Sequence, residues 1–253
     1  MCGGLNTTLF LFLVVILSTK NYAQTKYVDL SKHLLEAVRD DRPYNNLLDQ
    51  LANVSINDLS NELSNDDQKK AFWINVYNAH VQLILKEDSS KFEDRGKFFK
   101  AAQVLIAGHT ISLDLLEHGI IRKSKVKLSL GLLPKIFVSK YERKFRVKRT
   151  DSRVHFALNC GAKSCPFIGI YDGKRCNQQL DLTTGQYLSK TTEIDGNILR
   201  VSKLFSWFRG DFGGKKGILK MLQKHDIIDN CQRFKIEYLH YDWTMELGNY
   251  KTL

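Results

Sequence analysis

The clearest pattern in the chain is the run from Asp67 to Lys86. Phe72, Val76, Ala79 and Leu83 form one apolar row at helical spacing, and Trp73, Tyr77, His80 and Ile84 form the row beside it. Asn75, Asn78 and Gln82 make a third, polar row at helical spacing. A helix that is apolar over most of its circumference is expected to be buried. Ser64-Asn65-Asp66-Asp67 offers an N-cap and first-turn acids. The amide row has two readings. It is a stripe facing solvent, or its members line a cleft or fix a neighbouring loop, because buried amides need partners. Asn75 and Asn78 are therefore candidate binding residues.

Other elements follow from the same patterning. Leu30, Leu34 and Val38, then Leu47, Leu48, Leu51 and Val54, repeat at helical spacing on either side of Pro43. They predict an N-terminal helical extension over 24–63. Val104 to Ile111 reads as a hairpin turning at Ala107-Gly108-His109, and Ser112 as the cap of a helix to Ile121. Lys135 to Val147 alternates as a strand. Val154 to Asn159 reads as a buried strand with His155, Ala157 and Asn159 on one face. A helix over 180–188, a strand over 198–201, a helix over 216–224 and a closing strand over 234–243 complete the order. This order is that of an α+β chain, with a single mixed helix–sheet domain over 64–253.

The first residues bear on the compartment. Leu9 to Leu17 is an unbroken apolar run, followed by small and polar residues ending in Asn21-Tyr22-Ala23. It is too short to span a bilayer but suits a signal peptide over residues 1–23, although the segment before it has no Lys or Arg. The alternative is a buried N-terminal strand or helix. A signal peptide implies an exported protein, periplasmic or extracellular, with no transmembrane span after cleavage. Cys2 precedes the apolar run and would be lost. Cys160, Cys165, Cys176 and Cys231 would remain, and in an oxidising compartment they could form disulfides.

Composition adds one feature. The 253 residues are 43% hydrophobic and 26% charged, which is ordinary for a globular protein and excludes a wholly disordered or collagen-like chain. The formal net charge is +11, and it gathers in Arg122–Lys127 and Lys140–Arg149. Neither cluster carries a helix-turn-helix, finger or RNA-binding signature, so nucleic acid is not the expected partner. The clusters read as solvated edges and are compatible with an anionic envelope surface. Gly210-Asp211-Phe212-Gly213-Gly214 lacks the ending of a phosphate-binding loop.

Three stretches stand out together: KAFWINVYNAHV (70–81), IAGHTISLDLLEHGIIR (106–122) and RVHFALNCGAKSCP (153–166). They resemble the bacterial and plant family known as domain of unknown function 547 over about residues 64–185. Leu204–Phe212 and Tyr241-Asp242-Trp243 also look like that family's C-terminal part. The resemblance implies an α/β or α+β domain, often exported in bacteria, and supplies no catalytic set.

The chemistry must come from the residues. A thiol needs a neighbouring base or positive field to become a nucleophile near neutral pH. His155 and Cys165 are the candidate base and nucleophile, with Asn159 or Glu117 as orienter. Cys160 and Arg153 join Asn75 and Asn78 as candidate binding residues. These ingredients are compatible with a papain- or transglutaminase-like hydrolase or acyltransferase acting on peptide or amide bonds of the envelope. Those enzymes, however, place their cysteine on the buried helix, where this chain has Asn75 and Asn78. Three alternatives stand beside catalysis: a Cys160–Cys165 disulfide in a non-catalytic binding module, zinc held with His155, or inert buried thiols. The expected partner is a peptide or envelope polymer, and no cofactor is implied. His80 is expected in the core and His118 at the surface.

Overall fold

The computed structural model describes residues 26–127, 129–229 and 233–253. The expected signal peptide and Cys231 lie outside these. Three amphipathic helices open the described chain: α1 (Lys26–Arg39), α2 (Asn45–Asn53) and α3 (Ile56–Glu62). α1 lies along the long helix that follows α3 and buries Val28, Leu34 and Leu35 completely. Its first turn is anchored by the Glu62 carboxylate, which accepts from the amides of Tyr27 and Val28. The segment expected as an extension is thus part of the core.

α4 (Asp66–Glu87) begins at Asn65, whose side chain accepts from the amides of Asp67 and Gln68. Every residue from Gln68 to Gln82 is buried, so α4 is enclosed on all sides, as its apolar rows predict. After a short 3-10 turn come α5 (Arg95–Lys100) and a hairpin of β1 (Ala102–Ile106) and β2 (His109–Ser112). Ile106 pairs with His109 across a two-residue turn in which Ala107 and Gly108 both have positive φ, 51° and 71°. That backbone matches the twist of a hairpin. The tip amides of Ala107 and Gly108 donate to Leu51 and Ala52 carbonyls on α2.

The helix expected after Ser112 forms, but Leu115–Ile121 is a π-helix. The Arg122 amide donates to the Glu117 carbonyl, five residues back. The wider turn changes which side chains share a face.

Two expected strands are corrected. Within Lys135–Val147 the structure has a helix, α6 (Lys140–Phe145), capped by Ser139. Tyr141 and Phe145, four residues apart, pack on Trp73 with ring centroids at 6.5 and 5.5 Å. Helical spacing of these two aromatics therefore outweighs the alternation. Over Val154–Asn159 the chain makes a 3-10 turn (Ser152–Phe156) and then runs irregularly. No strand lies alongside. Asn78 on α4 instead donates to the Ala157 carbonyl at 2.9 Å and accepts from the Asn159 amide at 2.9 Å, doing what a strand partner would do.

α7 (Cys176–Thr191) follows, then a three-stranded sheet of β3 (Glu193–Asp195), β4 (Ile198–Val201) and β5 (Lys235–Tyr238). β4 is central, antiparallel to β3 and parallel to β5. The crossover from β4 to β5 carries α8 (Leu204–Trp207) and α9 (Gly214–Lys224). The closing strand is shorter than expected. Beyond Tyr238 the chain runs irregularly beside residues 161–168, with Lys163, Ser164 and Ile168 amides donating to Thr244, Asp242 and Asn249 carbonyls. One hydrophobic core links the described elements from Val28 to Tyr241, so the fold is a single α+β domain.

The amide row is the sharpest outcome. Asn75 donates to the Tyr171 carbonyl at 2.8 Å and accepts from the Tyr171 amide at 2.9 Å. Gln82 accepts from the Gly248 amide at 2.8 Å. All three fix segments that lack secondary structure of their own. Replacing Asn78 by alanine leaves a buried carbonyl and a buried amide unpaired. Asn78→Ala is expected to lower stability by about 3 kcal/mol in urea unfolding, well beyond a surface substitution.

Candidate functional site

The loop over residues 160–166 is held from three sides. Cys160 and Cys165 form a disulfide with Cα atoms 6.2 Å apart. The Asn159 side chain donates to the Pro166 carbonyl at 2.7 Å and accepts from the Gly161 amide at 2.9 Å, closing the base of the loop. Gly161 has φ +87°, a backbone conformation that favours glycine, and it packs against Leu85 on α4. The Tyr241 hydroxyl, from the C-terminal segment, lies 3.4 and 3.2 Å from the two sulfurs.

On one side of the disulfide is a cavity of about 320 Å³. Its walls include Tyr77, Trp207, Phe208, Tyr241 and Trp243, with Cys160 at its edge and Leu130 from the 129–138 loop. Asp114, Glu117, His118 and Lys127 bring polar groups to it. The C-terminal aromatics form a contiguous wall, with Tyr241 4.8 Å from Trp207 and 4.7 Å from Trp243 between centroids. The outer aromatic, Trp243, also carries the Arg95 guanidinium at 4.7 Å.

Behind this cavity runs a buried polar chain. His118 Nδ1 accepts from Arg122 Nη1 at 2.7 Å. Arg122 Nε donates to Asp211 Oδ2 at 2.7 Å, and His155 Nε2 donates to the same oxygen at 2.9 Å. Arg122 and Asp211 side chains are both fully buried. Phe208 stacks on the His155 ring at 3.8 Å and lies 4.5 Å from the Arg122 guanidinium. Burial works against ionisation of Asp211, but the His155 hydrogen bond and the Arg122 charge together hold its carboxyl below the usual range. Burial lowers the pKa of His155 despite the Asp211 hydrogen bond. Burial, reinforced by the Arg122 charge, takes His118 down to about 3. Both rings are thus neutral near pH 7. Arg122 and Asp211 compensate each other, and Lys127 pairs with Asp114 at 2.7 Å. Glu117 meets the neutral His118 ring, at 3.5 Å, and its carboxylate has no cationic partner among the described residues. It also faces the buried Tyr77 hydroxyl.

Of the residues singled out from sequence, Glu117, His155 and Cys160 meet at this cavity. Cys165 borders a separate surface depression beyond the disulfide, with Tyr187 and Lys190. Asn159 and His155 do not share a strand face, because the strand does not form. Asn159 serves its own loop, and Asn75 and Asn78 serve backbone. Arg153 grips Asp151 through two nitrogens, at 2.9 and 2.7 Å, and reaches Asn177 and Asp181 on α7, so it is a tie between segments. With both sulfurs in a disulfide, Cys165 carries no thiol to act as nucleophile. The zinc arrangement does not form either: the sulfurs are bonded to each other, His155 Nε2 is engaged by Asp211, and no cluster of three metal-ligating side chains occurs among the described residues. Cys176 is a buried thiol whose pKa burial pushes up to about 12, as expected of an inert core cysteine. His80 is in the core, hydrogen-bonded to the Val76 carbonyl at 2.8 Å. His118, expected at the surface, is buried.

Sequence reasoning missed Asp211, Arg122 and the aromatic wall. Arg122 stands four residues after His118, a spacing that would have paired them. Asp211 gave no signal beyond a failed phosphate-loop pattern.

The network makes two predictions. Arg122→Leu strands the buried Asp211 carboxylate and is expected to lower stability by about 3–5 kcal/mol in chemical unfolding. The second concerns pH. An unfolded histidine titrates near 6.5 and folded His118 near about 3, so the folded state binds fewer protons between those values. The stability carried by neutral His118 is complete above pH about 6.5 and is lost as pH falls towards about 3. From pH 7 to pH 5 the loss is expected to be about 2 kcal/mol, read by urea unfolding, and to shrink in His118→Gln.

No helix of the described residues is long and apolar enough to cross a membrane. No curated protein and no solved structure matches the chain. The model of the family described as "Protein of unknown function, DUF547" matches residues 60–188, which hold α4, the π-helix, the disulfide loop and most of α7. That span is half of the chain, and the chain belongs to that family.

Proposed function

We propose that this protein is an exported, non-catalytic binding module of the cell envelope, and that its ligand site is the aromatic cavity beside the disulfide. The observation that carries this reading is the Cys160–Cys165 bond, which removes the thiol a cysteine-dependent hydrolase would need and stiffens one edge of the cavity. A disulfide also suits an oxidising compartment, in keeping with the apolar run from Leu9 to Leu17 followed by Asn21-Tyr22-Ala23. The cavity chemistry indicates what is bound. Its aromatic wall and the Glu117 carboxylate, which has no cationic partner among the described residues, favour an ammonium group, such as the lysine-type side chain of a peptide or peptide-bearing envelope polymer.

A second reading rests on the position of Cys160. If a reductant opened the disulfide, Cys160 rather than Cys165 would be the thiol at the same cavity as His155. Amide cleavage that appears only after reduction, and disappears in Cys160→Ser, would establish that reading in place of the first.

Two measurements test the binding module. Iodoacetamide treatment of the unfolded but unreduced protein, followed by peptide mapping, is expected to label Cys176 and leave Cys160 and Cys165 unlabelled. Titration with N-acetyl-lysine amide, followed by the fluorescence of Trp207 and Trp243, is expected to show about tenfold tighter binding than N-acetyl-norleucine amide, its uncharged counterpart. Glu117→Gln should remove that preference. Equal affinity for the two compounds would exclude ammonium recognition, and a free thiol at Cys160 in the folded protein would remove the disulfide on which the binding-module reading rests.

A further inference from the structure

The two basic clusters enclose a surface that the cavity does not explain. From Arg122 to Arg149 the chain holds eleven Lys or Arg residues and one acid, Glu142, so this stretch accounts for nearly all of the net charge of +11. Between the clusters lies Ser-Leu-Gly-Leu-Leu-Pro-Lys-Ile-Phe-Val, residues 129–138. Its apolar side chains face solvent: Leu132 is 63% exposed, Leu133 61%, Ile136 89% and Phe137 92%. Large side chains exposed together at these levels are unusual on a protein surface and mark an interaction site.

The loop that presents them is fastened at its base. The Val126 amide donates to the Leu133 carbonyl at 2.9 Å and the Lys135 amide to the Ser124 carbonyl at 2.7 Å. The Gly210 amide donates to the Leu130 carbonyl at 2.7 Å, tying the loop to the segment that holds Asp211. An added Cβ on Gly131, at φ +79°, would stand 2.6 Å from Asp211 Oδ1, so a glycine lets the loop press against the buried pair. Lys123, Lys140, Arg143 and Lys144 are exposed around this base with no acidic partner among the described residues, whereas Arg122, Lys127 and Lys135 pair with Asp211, Asp114 and Glu142.

We propose that the 129–138 loop is a membrane-docking prong: Leu132, Leu133, Ile136 and Phe137 enter the interface of an anionic lipid bilayer while the surrounding lysines and arginines contact its headgroups. Apolar insertion and cationic attraction are the two components of interfacial binding, and both occur here on one loop. The charge decides against the other simple occupant. A second copy of this chain docked by the same loop would bring two basic clusters together. An anionic bilayer meets the same clusters with opposite charge.

The test uses the full chain with vesicles of phosphatidylcholine alone, and of phosphatidylcholine mixed with phosphatidylglycerol. Hydrogen exchange provides a readout local to the loop. Amides over residues 129–138 are expected to gain protection with the anionic vesicles only, and to lose it as salt is raised. The paired substitution Ile136→Ser and Phe137→Ser changes two almost fully exposed side chains, so the fold should hold. It should weaken co-sedimentation by about tenfold or more relative to the parent chain. The apolar run at Leu9–Leu17 contributes equally to both chains. Absence of loop protection on anionic vesicles, equal protection on neutral ones, or protection arising from self-association without vesicles would each overturn the proposal.

Discussion

The structure depends on the need to satisfy polar groups on a helix that water cannot reach. α4 is buried on every side, yet carries Asn75, Asn78 and Gln82. A buried amide without partners would be destabilising, and the side-chain oxygen of each accepts from a backbone amide, while Gln82 Nε2 has no partner among the described residues. Asn75 and Asn78 each meet one carbonyl and one amide of an irregular segment, and Gln82 takes the amide of Gly248. The helix therefore acts as a template. Segments around residues 157–159, 171 and 248 need no strand or helix of their own, because α4 supplies their hydrogen bonds.

This arrangement leads to the cavity. The Asn78 clamp sets the chain just before the disulfide loop, and the loop closes through Asn159 and Gly161 against α4. The π-helix then brings Glu117, His118 and Arg122 to the same region. Burial keeps both histidines neutral, while Arg122 and Asp211 cancel each other's charge. What faces the cavity is the Glu117 carboxylate, beside the Asp114–Lys127 pair and the neutral His118 ring, among aromatic rings. The ammonium-binding role and the docking role proposed above use neighbouring features, since Leu130 belongs both to the cavity wall and to the exposed loop.

Much of the fold was legible in the sequence, for a physical reason in each case. α1, α2 and α4 carry long apolar rows at helical spacing, and the hairpin turns at Gly108, which takes a positive φ readily. Two segments expected as strands form none. In 135–147 two aromatics at helical spacing prevailed over charge alternation. In 154–159 a side chain from α4 replaces the strand partner that the alternation predicts.

The sequence by itself determined the mixed class, the buried central helix, the family and the motif that holds His155, Cys160 and Cys165. It did so because these follow from local periodicity and from residues close together in the chain. Only the tertiary structure decided that the two cysteines are bonded, that His118 is buried, and that His155 answers to Asp211 across 56 positions of chain. It also decided that the apolar residues between the basic clusters stay outside the core. Sulfur–sulfur distance, burial and charge pairing are properties of segments brought together in space, and no pattern along one segment contains them.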